Sequence, residues 1–279
     1  MGRIEDALNK LRKAGRSGAV PPTRLATVVP QQHDYAGRRV VVDVAELMAN
    51  GLLAPGAAEH RLDEQYRVIK RPLLRNASPD HVPPIPRGNL LMVASALAGE
   101  GKTFTSVNLC LSIARERDWE IVLIDADCSK RHLTHLFAAE KERGLVDLLR
   151  DTSLTFDSVV MPTDVPGLSL MPAGSPDEQS SELLASNRMD ELCAALAEGG
   201  AGRMIVFDSS PLLLTTEAVA LAQHVGQIAL VVRANETPHE AVLAAIDRLD
   251  PSKAIGCILN QAYGSESGLK YGDDFAYGD

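Results

Sequence analysis

Five residues stand out for the chemistry their types and spacing allow. Lys102 and Thr103 end the run ALAGEGKT at Ala96–Thr103, which follows the apolar segment Leu90–Ser95 and leads into a helical pattern. Glycines at Gly99 and Gly101 let backbone N–H groups curl around an anion, and the helix that follows adds its partial positive charge. In such a loop the lysine reaches the β- and γ-phosphates of a nucleotide, and the threonine hydroxyl ligates Mg²⁺. The run departs from GxxxxGK(S/T) at its first position, where Ala96 stands in place of glycine. The acids Asp125 and Asp127 close a second apolar run, EIVLIDAD, and a third, Asp208, closes RMIVFD. Residues at i and i+2 of a strand share a face, so Asp125 and Asp127 are expected to project together at a strand's C-terminal edge. Like charges so close repel unless a cation or a proton is shared, and Mg²⁺ removes that problem.

The elements that must position these groups follow from periodicity. Apolar runs at Leu90–Ser95, Glu120–Asp127, Leu168–Ala173, Arg203–Ser210, Gln227–Ala234 and Ala254–Asn260 alternate with amphipathic helical segments. Continuous rather than alternating apolar runs mark strands buried on both faces. The pattern predicts an α/β fold, a parallel sheet flanked by helices on both faces. A first helix is expected near Arg3–Ala14, where Ile4, Ala7, Leu8 and Leu11 form an apolar stripe, and two more between Val41 and Leu74. Proline clusters at Ser78–Asn89 mark the main boundary. The division expected is residues 1–40 as helix and basic linker, 41–88 as a helical segment with a Pro-rich linker, 89–262 as the main domain and 263–279 as a tail.

The 279 residues carry 45% hydrophobic and 23% charged side chains, enough for a proper core. With 28 basic and 37 acidic residues the net charge is −9, which argues against a general nucleic-acid binder. Residues 1–41 nevertheless carry eight basic and three acidic residues, a local +5 suited to a membrane surface or an acidic partner. No apolar stretch approaches the roughly 20 residues that span a bilayer, and the first ten residues contain no export-signal core. The four cysteines have no metal-ligand spacing, and His132 and His135 have no Cys or acidic partner at such spacing, so the latter pair is assigned to a helix surface.

The segments SALAGEGKTFTSVNL, IVLIDAD and IVFDSSPLLLTTEA together resemble the bacterial tyrosine kinases of exopolysaccharide export, the BY-kinases. The segments EQYRVIKRPLLRNA, PAGSPDEQSSELLASNRM and HVGQIALVV are most similar to the autokinases of exosortase-associated (PEP-CTERM) polysaccharide loci. The resemblance covers residues 64–279 and implies a P-loop NTPase-type kinase using ATP and Mg²⁺. It implies that Gly99, Glu100, Gly101, Lys102, Thr103 and Phe104 contact the nucleotide and that Asn260 borders the adenine. It makes Thr103, Asp125 and Asp208 metal-supporting, and Lys102, Asp125, Asp127 and Asp208 catalytic. Asp127 is the candidate base for an incoming tyrosine hydroxyl, whose pKa near 10 makes it a poor nucleophile unaided.

Three of five tyrosines, Tyr263, Tyr271 and Tyr277, fall in the last 17 residues, within a Gly-rich acidic stretch unsuited to packing. By resemblance they form the autophosphorylated cluster. Glu64, Arg67 and Lys70, spaced three apart, match a family ExxRxxR motif that assembles rings in which each tail reaches a neighbouring site. The resemblance also implies a separate membrane-anchored co-polymerase adaptor and a cytoplasmic protein recruited to the inner face of the plasma membrane. Departures are Ser129 where relatives carry Arg, Ser210 in a double-proline position, and Lys70 for the last Arg. Two other readings stay open: an ATPase of the ParA/MinD type, against which Leu97 stands where those proteins carry a signature lysine, and a nucleotide-binding adaptor with little catalysis.

Overall fold

The computed structural model describes residues 35, 38–53, 57–199 and 202–262. The expected first helix and the tail tyrosines Tyr263, Tyr271 and Tyr277 lie outside the described residues.

Seven strands form one sheet: β1 (Leu90–Ser95), β2 (Glu120–Asp125), β3 (Met161–Pro162), β4 (Leu168–Met171), β5 (Arg203–Asp208), β6 (Gln227–Arg233) and β7 (Ala254–Asn260). They lie in the order β3-β4-β2-β5-β1-β6-β7, all parallel except β3, which runs antiparallel to β4. The expectation of a parallel sheet therefore holds for six strands. The two-residue β3 is too short to leave a periodic signature, and its Pro162 sits at the sheet edge, where a missing donor is tolerated.

The continuous apolar runs are explained by the two cores. Along β1, Leu90, Met92 and Ala94 enter one cluster while Leu91 and Val93 enter the other. Each strand thus serves two packed layers, and every residue of β1 is buried. The edge strand β7 differs: Gly256, Cys257 and Leu259 are exposed, because among the described residues no further strand covers that margin.

On one face pack α1 (Val44–Ala49), α2 (Ala57–Ala77) and α3 (Lys102–Ala114). Asp43 caps α1 by accepting from the N–H groups of Ala45 and Glu46, the role carboxylates fill at helix starts. Four short helices follow in the connections after β2 and β4: α4 (His132–Leu136), α5 (Leu145–Arg150), α6 (Phe156–Val159) and α7 (Ser180–Leu184). On the other face lie α8 (Asn187–Glu198), α9 (Thr216–His224) and α10 (His239–Ile246). No helix among the described residues is long and apolar enough to cross a membrane. Cys110 is fully buried and Trp119 packs partly against the α3 side of the core.

Candidate nucleotide site

The C-terminal ends of β1, β2 and β5 meet at one edge of the sheet, and the sheet order makes them neighbours. The loop between β1 and α3 begins the site. Gly99 and Gly101 adopt φ of 81° and 94°, the left-handed region that side chains resist. At Gly101 a Cβ would stand 2.0 Å from Asn260 Nδ2, so a side chain there would displace the Asn260 amide as well as strain the backbone. Gly101 caps α3 without a side-chain bond. The N–H groups of Lys102, Thr103 and Phe104 are therefore first-turn donors with no intrahelical partner, a ready anion site.

The loop is braced from two sides. Glu100, 2% exposed, accepts from the Leu97 N–H at 2.7 Å and from the Thr237 hydroxyl. Asn260 Nδ2 donates to the Glu100 carbonyl at 2.9 Å. The Glu100 carboxylate is thus turned into the loop's support, which leaves only its backbone for a ligand. Asn260, expected beside an adenine, reaches the loop itself. The Phe104 side chain packs against the core under α3.

Lys102 is buried, and its Nζ donates to Ser95 Oγ at 3.1 Å. Burial holds its ammonium below the ordinary lysine range, against the attraction of Asp208 and Asp127. Thr103 Oγ1 donates to Asp208 Oδ2 at 2.7 Å, and Ser106 Oγ donates to Asp208 Oδ1 at 2.9 Å. Ser106 escaped the sequence reading, although its place three residues after Thr103 puts both hydroxyls on one helical face. Burial pushes the Asp208 carboxyl up to about 7, reinforced by the neighbouring Asp125 and opposed by the two hydroxyls and Lys102.

Asp125 and Asp208 are register partners at the ends of β2 and β5. Asp125 Oδ2 accepts from the Thr134 N–H at 2.8 Å and its hydroxyl at 2.7 Å, while the buried Oδ1 has no hydrogen-bond partner. Its carboxyl is raised, chiefly by burial. The strand stops at Asp125, so the strand period does not extend to Asp127. Asp127 instead belongs to the following turn, where its Oδ1 accepts from the Lys130 N–H at 3.2 Å.

An orphaned carboxylate oxygen beside a Thr–Asp pair fits a hard cation bound by oxygen. Among the described residues no group of three or more His, Cys, Asp or Glu could hold a metal unaided. Mg²⁺ suits that arrangement, since it commonly takes one or two carboxylates and completes its shell with water and phosphate oxygens.

The departures from the family pattern have local partners. Ser129 Oγ lies 3.3 Å from the nearer carboxylate oxygen of the buried Glu217, which also accepts from Ser180 Oγ at 2.5 Å. Ser210 Oγ shares a hydrogen bond of 2.7 Å with Thr215 Oγ1. Glu217 carried no local signal in the sequence, because Ser129 lies 88 positions away. His132 and His135 lie on α4, where His135 Nδ1 is 3.2 Å from Glu140 Oε1.

One expectation needs correction. Glu64 and Arg67 are exposed on α2, but Lys70 is buried at 6% and does not share their face. Its Nζ donates to the Ser112 carbonyl at 2.6 Å and pairs with Glu116 at 2.7 Å, both across α3. A helix turns about 100° per residue, so two steps of three leave Lys70 roughly 120° away from Glu64.

Residues 91–274 match the model of the CobQ/CobB/MinD/ParA nucleotide binding domain. The chain is 29% identical over 184 residues to the tyrosine-protein kinase ptk of Acinetobacter johnsonii, covering 65% of this chain and 25% of that protein. It is 33% identical over 203 residues to the tyrosine-protein kinase YwqD of Bacillus subtilis, covering 71% of this chain and 80% of YwqD. The kinase domain of the Escherichia coli tyrosine kinase ETK superposes with a TM-score of 0.62 at 25% identity, covering 75% of this chain and 80% of that domain. The chain thus spans about a quarter of the length of the long relatives such as ptk, and most of the shorter YwqD.

Proposed function

We propose, on the premise that this chain belongs to the CobQ/CobB/MinD/ParA nucleotide-binding family and within it to the bacterial tyrosine-protein kinases, that it is an ATP-dependent tyrosine autokinase. Its acceptors are Tyr263, Tyr271 and Tyr277, and its role is to regulate exopolysaccharide synthesis and export. The observation that carries this reading is the identity of 33% with a tyrosine-protein kinase across 80% of that protein's length. Leu97, at the position of the ParA/MinD signature lysine, packs partly into the core and supports the kinase reading over the ATPase one. The exosortase-associated assignment rests on the segments quoted above.

The roles of the residues follow from where they sit. The Gly99–Gly101 backbone and the first turn of α3 hold phosphates, and Lys102 supplies a cation at their inner end. Thr103, Asp208 and the free oxygen of Asp125 would hold Mg²⁺, which when bound offsets charge on the phosphates. Asp127 accepts the phenolic proton as the tyrosine oxygen forms its bond to the γ-phosphorus and the bond from that phosphorus to the β,γ-bridging oxygen breaks. The base matters because a neutral phenol attacks poorly at pH 7.

Exposed Glu64 and Arg67 support ring assembly, in which each tail reaches a neighbouring subunit's site. A membrane-anchored polysaccharide co-polymerase is the proposed adaptor, and the basic excess of residues 1–41 supports recruitment to an anionic inner leaflet. Each phosphate adds about −1.5 to −2 charges to a tail that is already acidic, favouring its release from acidic surfaces.

The test is intact mass and site mapping after incubation with Mg²⁺-ATP. Phosphates are expected on the three tail tyrosines, and Asp127→Asn is expected to slow their appearance by about 10²–10⁴-fold while nucleotide affinity is retained. ATP turnover without phosphotyrosine, even with an adaptor's cytosolic segment present, would overturn the reading.

A further inference from the structure

The α1, α2 and α3 side of the sheet carries a groove, along the second half of α3, that the proposed kinase reaction does not use. Val44 and Met48 of α1, Leu53, Leu62 of α2, Leu111 of α3 and Val165 supply its large aliphatic side chains. Its cavity is about 450 Å³, within the range of pockets that accept a compact apolar ligand. Val44 is 53% exposed there, whereas Leu47 on the same helix is 1% exposed. One face of α1 is therefore packed into the core and the other is presented to the groove. The pair Asp63–Arg115, at 2.6 Å, marks the rim.

We infer that this groove receives the chain's own N-terminal segment, with Ile4, Ala7, Leu8 and Leu11 turned inward. Three observations on this chain carry the assignment. Those four residues fall on one side of a helical wheel, with Asp6 and Lys13 opposite. A segment of that length is marginal as an isolated helix, so it needs an apolar surface to hold its shape. The described chain begins at Tyr35, whose hydroxyl accepts from Arg203 Nη2 at 2.8 Å beside Val165 and Pro166, and then passes the groove's mouth. Val40 donates to the Pro162 carbonyl at 2.9 Å, and the Asp164 N–H donates back to the Val40 carbonyl at 3.1 Å. The Val42 N–H then donates to Asp164 Oδ1 at 2.8 Å, and α1 starts at Val44. Asp164 adjoins Val165 and Pro166, both of which line the groove.

The tether between stripe and anchor is residues 12–34, which mix Gly, Pro, Gln and Arg. Treated as a random coil, about 23 residues have a root-mean-square span of roughly 24–29 Å, which covers the approach. Tethering at that range gives an effective concentration near the millimolar level, so even a weak helix-in-groove contact would be well populated. Seated there, the helix lies beside α2, whose Glu64 and Arg67 face solvent. The arm would then be folded onto the body, leaving its basic residues on the outer face.

The test uses the full chain carrying Cys257→Ser, since Cys257 is the exposed cysteine and Cys110, Cys128 and Cys193 are buried. Under mild oxidation the Leu8→Cys/Met48→Cys pair is expected to form an intrachain disulfide in about tenfold greater yield than Asp6→Cys/Met48→Cys, independent of dilution. Equal yields from the two pairs, or a link found only between chains in a mixture of light and heavy protein, overturns the assignment. Hydrogen exchange on the chain with native cysteines guards against misfolded cysteine variants. Leu8→Asp is expected to speed exchange at residues 44–53 by about tenfold. Unchanged exchange there, with residues 3–12 protected only when vesicles of anionic phospholipid are added, overturns it in favour of a membrane-facing arm. Neither readout depends on phosphoryl transfer, so the kinase reading can fail while this one stands.

Discussion

Lys70 and Lys102 are buried to nearly the same degree, 6% and 9% exposed, and they are used in opposite ways. Between α2 and α3, Lys70 meets a carbonyl at 2.6 Å and a carboxylate at 2.7 Å, so its charge is answered from within the fold. At the mouth of the sheet, Lys102 has one hydroxyl at 3.1 Å, and Asp208, Asp127 and Glu100 attract it without an ion pair among the described residues. The surrounding groups differ in the same sense. Glu116 beside Lys70 is half-exposed and can be hydrated, whereas Asp125 keeps a buried oxygen with no partner and Asp208 is held near the point of protonation. A buried charge with a complete set of partners secures two helices. A buried charge left short of partners is poised for something that arrives from outside.

The comparison can be broken most sharply at Lys102. Lys102→Met is expected to lower autophosphorylation by about 10³-fold, the scale of a lost charge on a transferring phosphoryl group. Its unfolding free energy should stay within about 1 kcal/mol of the parent, because a desolvated ammonium with one hydroxyl partner stabilises little. Phosphotyrosine mapping and urea unfolding measure the two quantities. A large loss of stability would mean that Lys102 is a structural lysine like Lys70.

Asp208 sharpens the contrast through pH. Its carboxyl is raised by burial to about 7, against a usual value of 3.8. Between about pH 4 and 7 the folded chain therefore holds a proton that the unfolded chain has released. The contribution of this group is greatest below pH 4 and is lost as pH rises through 7. Asp208→Asn should accordingly unfold at higher urea than the parent at pH 8, by about 2–4 kcal/mol, and match it near pH 4. Parallel curves at both pH values would remove the argument that this end of the sheet holds charge at a cost to stability.

The smallest effect is expected at Lys70. Lys70→Met strands the Ser112 carbonyl and should cost about 1–3 kcal/mol, with phosphorylation changed by no more than about twofold. Chemical denaturation and the same mass assay report both. An altered assembly state at unchanged stability would restore Lys70 to the assembly face from which its burial removes it.

Much of the candidate site was legible because its signals are local. Gly99, Gly101, Lys102 and Thr103 sit within five positions, and the left-handed φ values confirm why glycine recurs there. The three acids were visible as polar ends of apolar runs. What escaped was the set of partners that make those acids unusual. Thr134 on Asp125, Ser106 on Asp208, Thr237 on Glu100 and Ser129 on Glu217 are ordinary hydroxyls, and separations of 137 and 88 positions for the last two leave no pattern to read. The strand period also misled at Asp127, since β2 ends two residues earlier. At Lys70 a three-residue spacing looked like a single face, but the drift of the helix carried it into the core.

By itself the sequence determined six of the seven strands, the helices on either side, the phosphate-type loop and the acids at strand ends. These depend on backbone geometry and side-chain period, which act over a few residues. Only the tertiary structure decided that Asp125 lies across from Asp208, that Thr103 reaches Asp208 over 105 positions, and that Asn260 closes on the loop. Those neighbours are set by the order in which strands pair and by which face each layer buries. That choice is made by the packing of the whole core rather than by any segment in it.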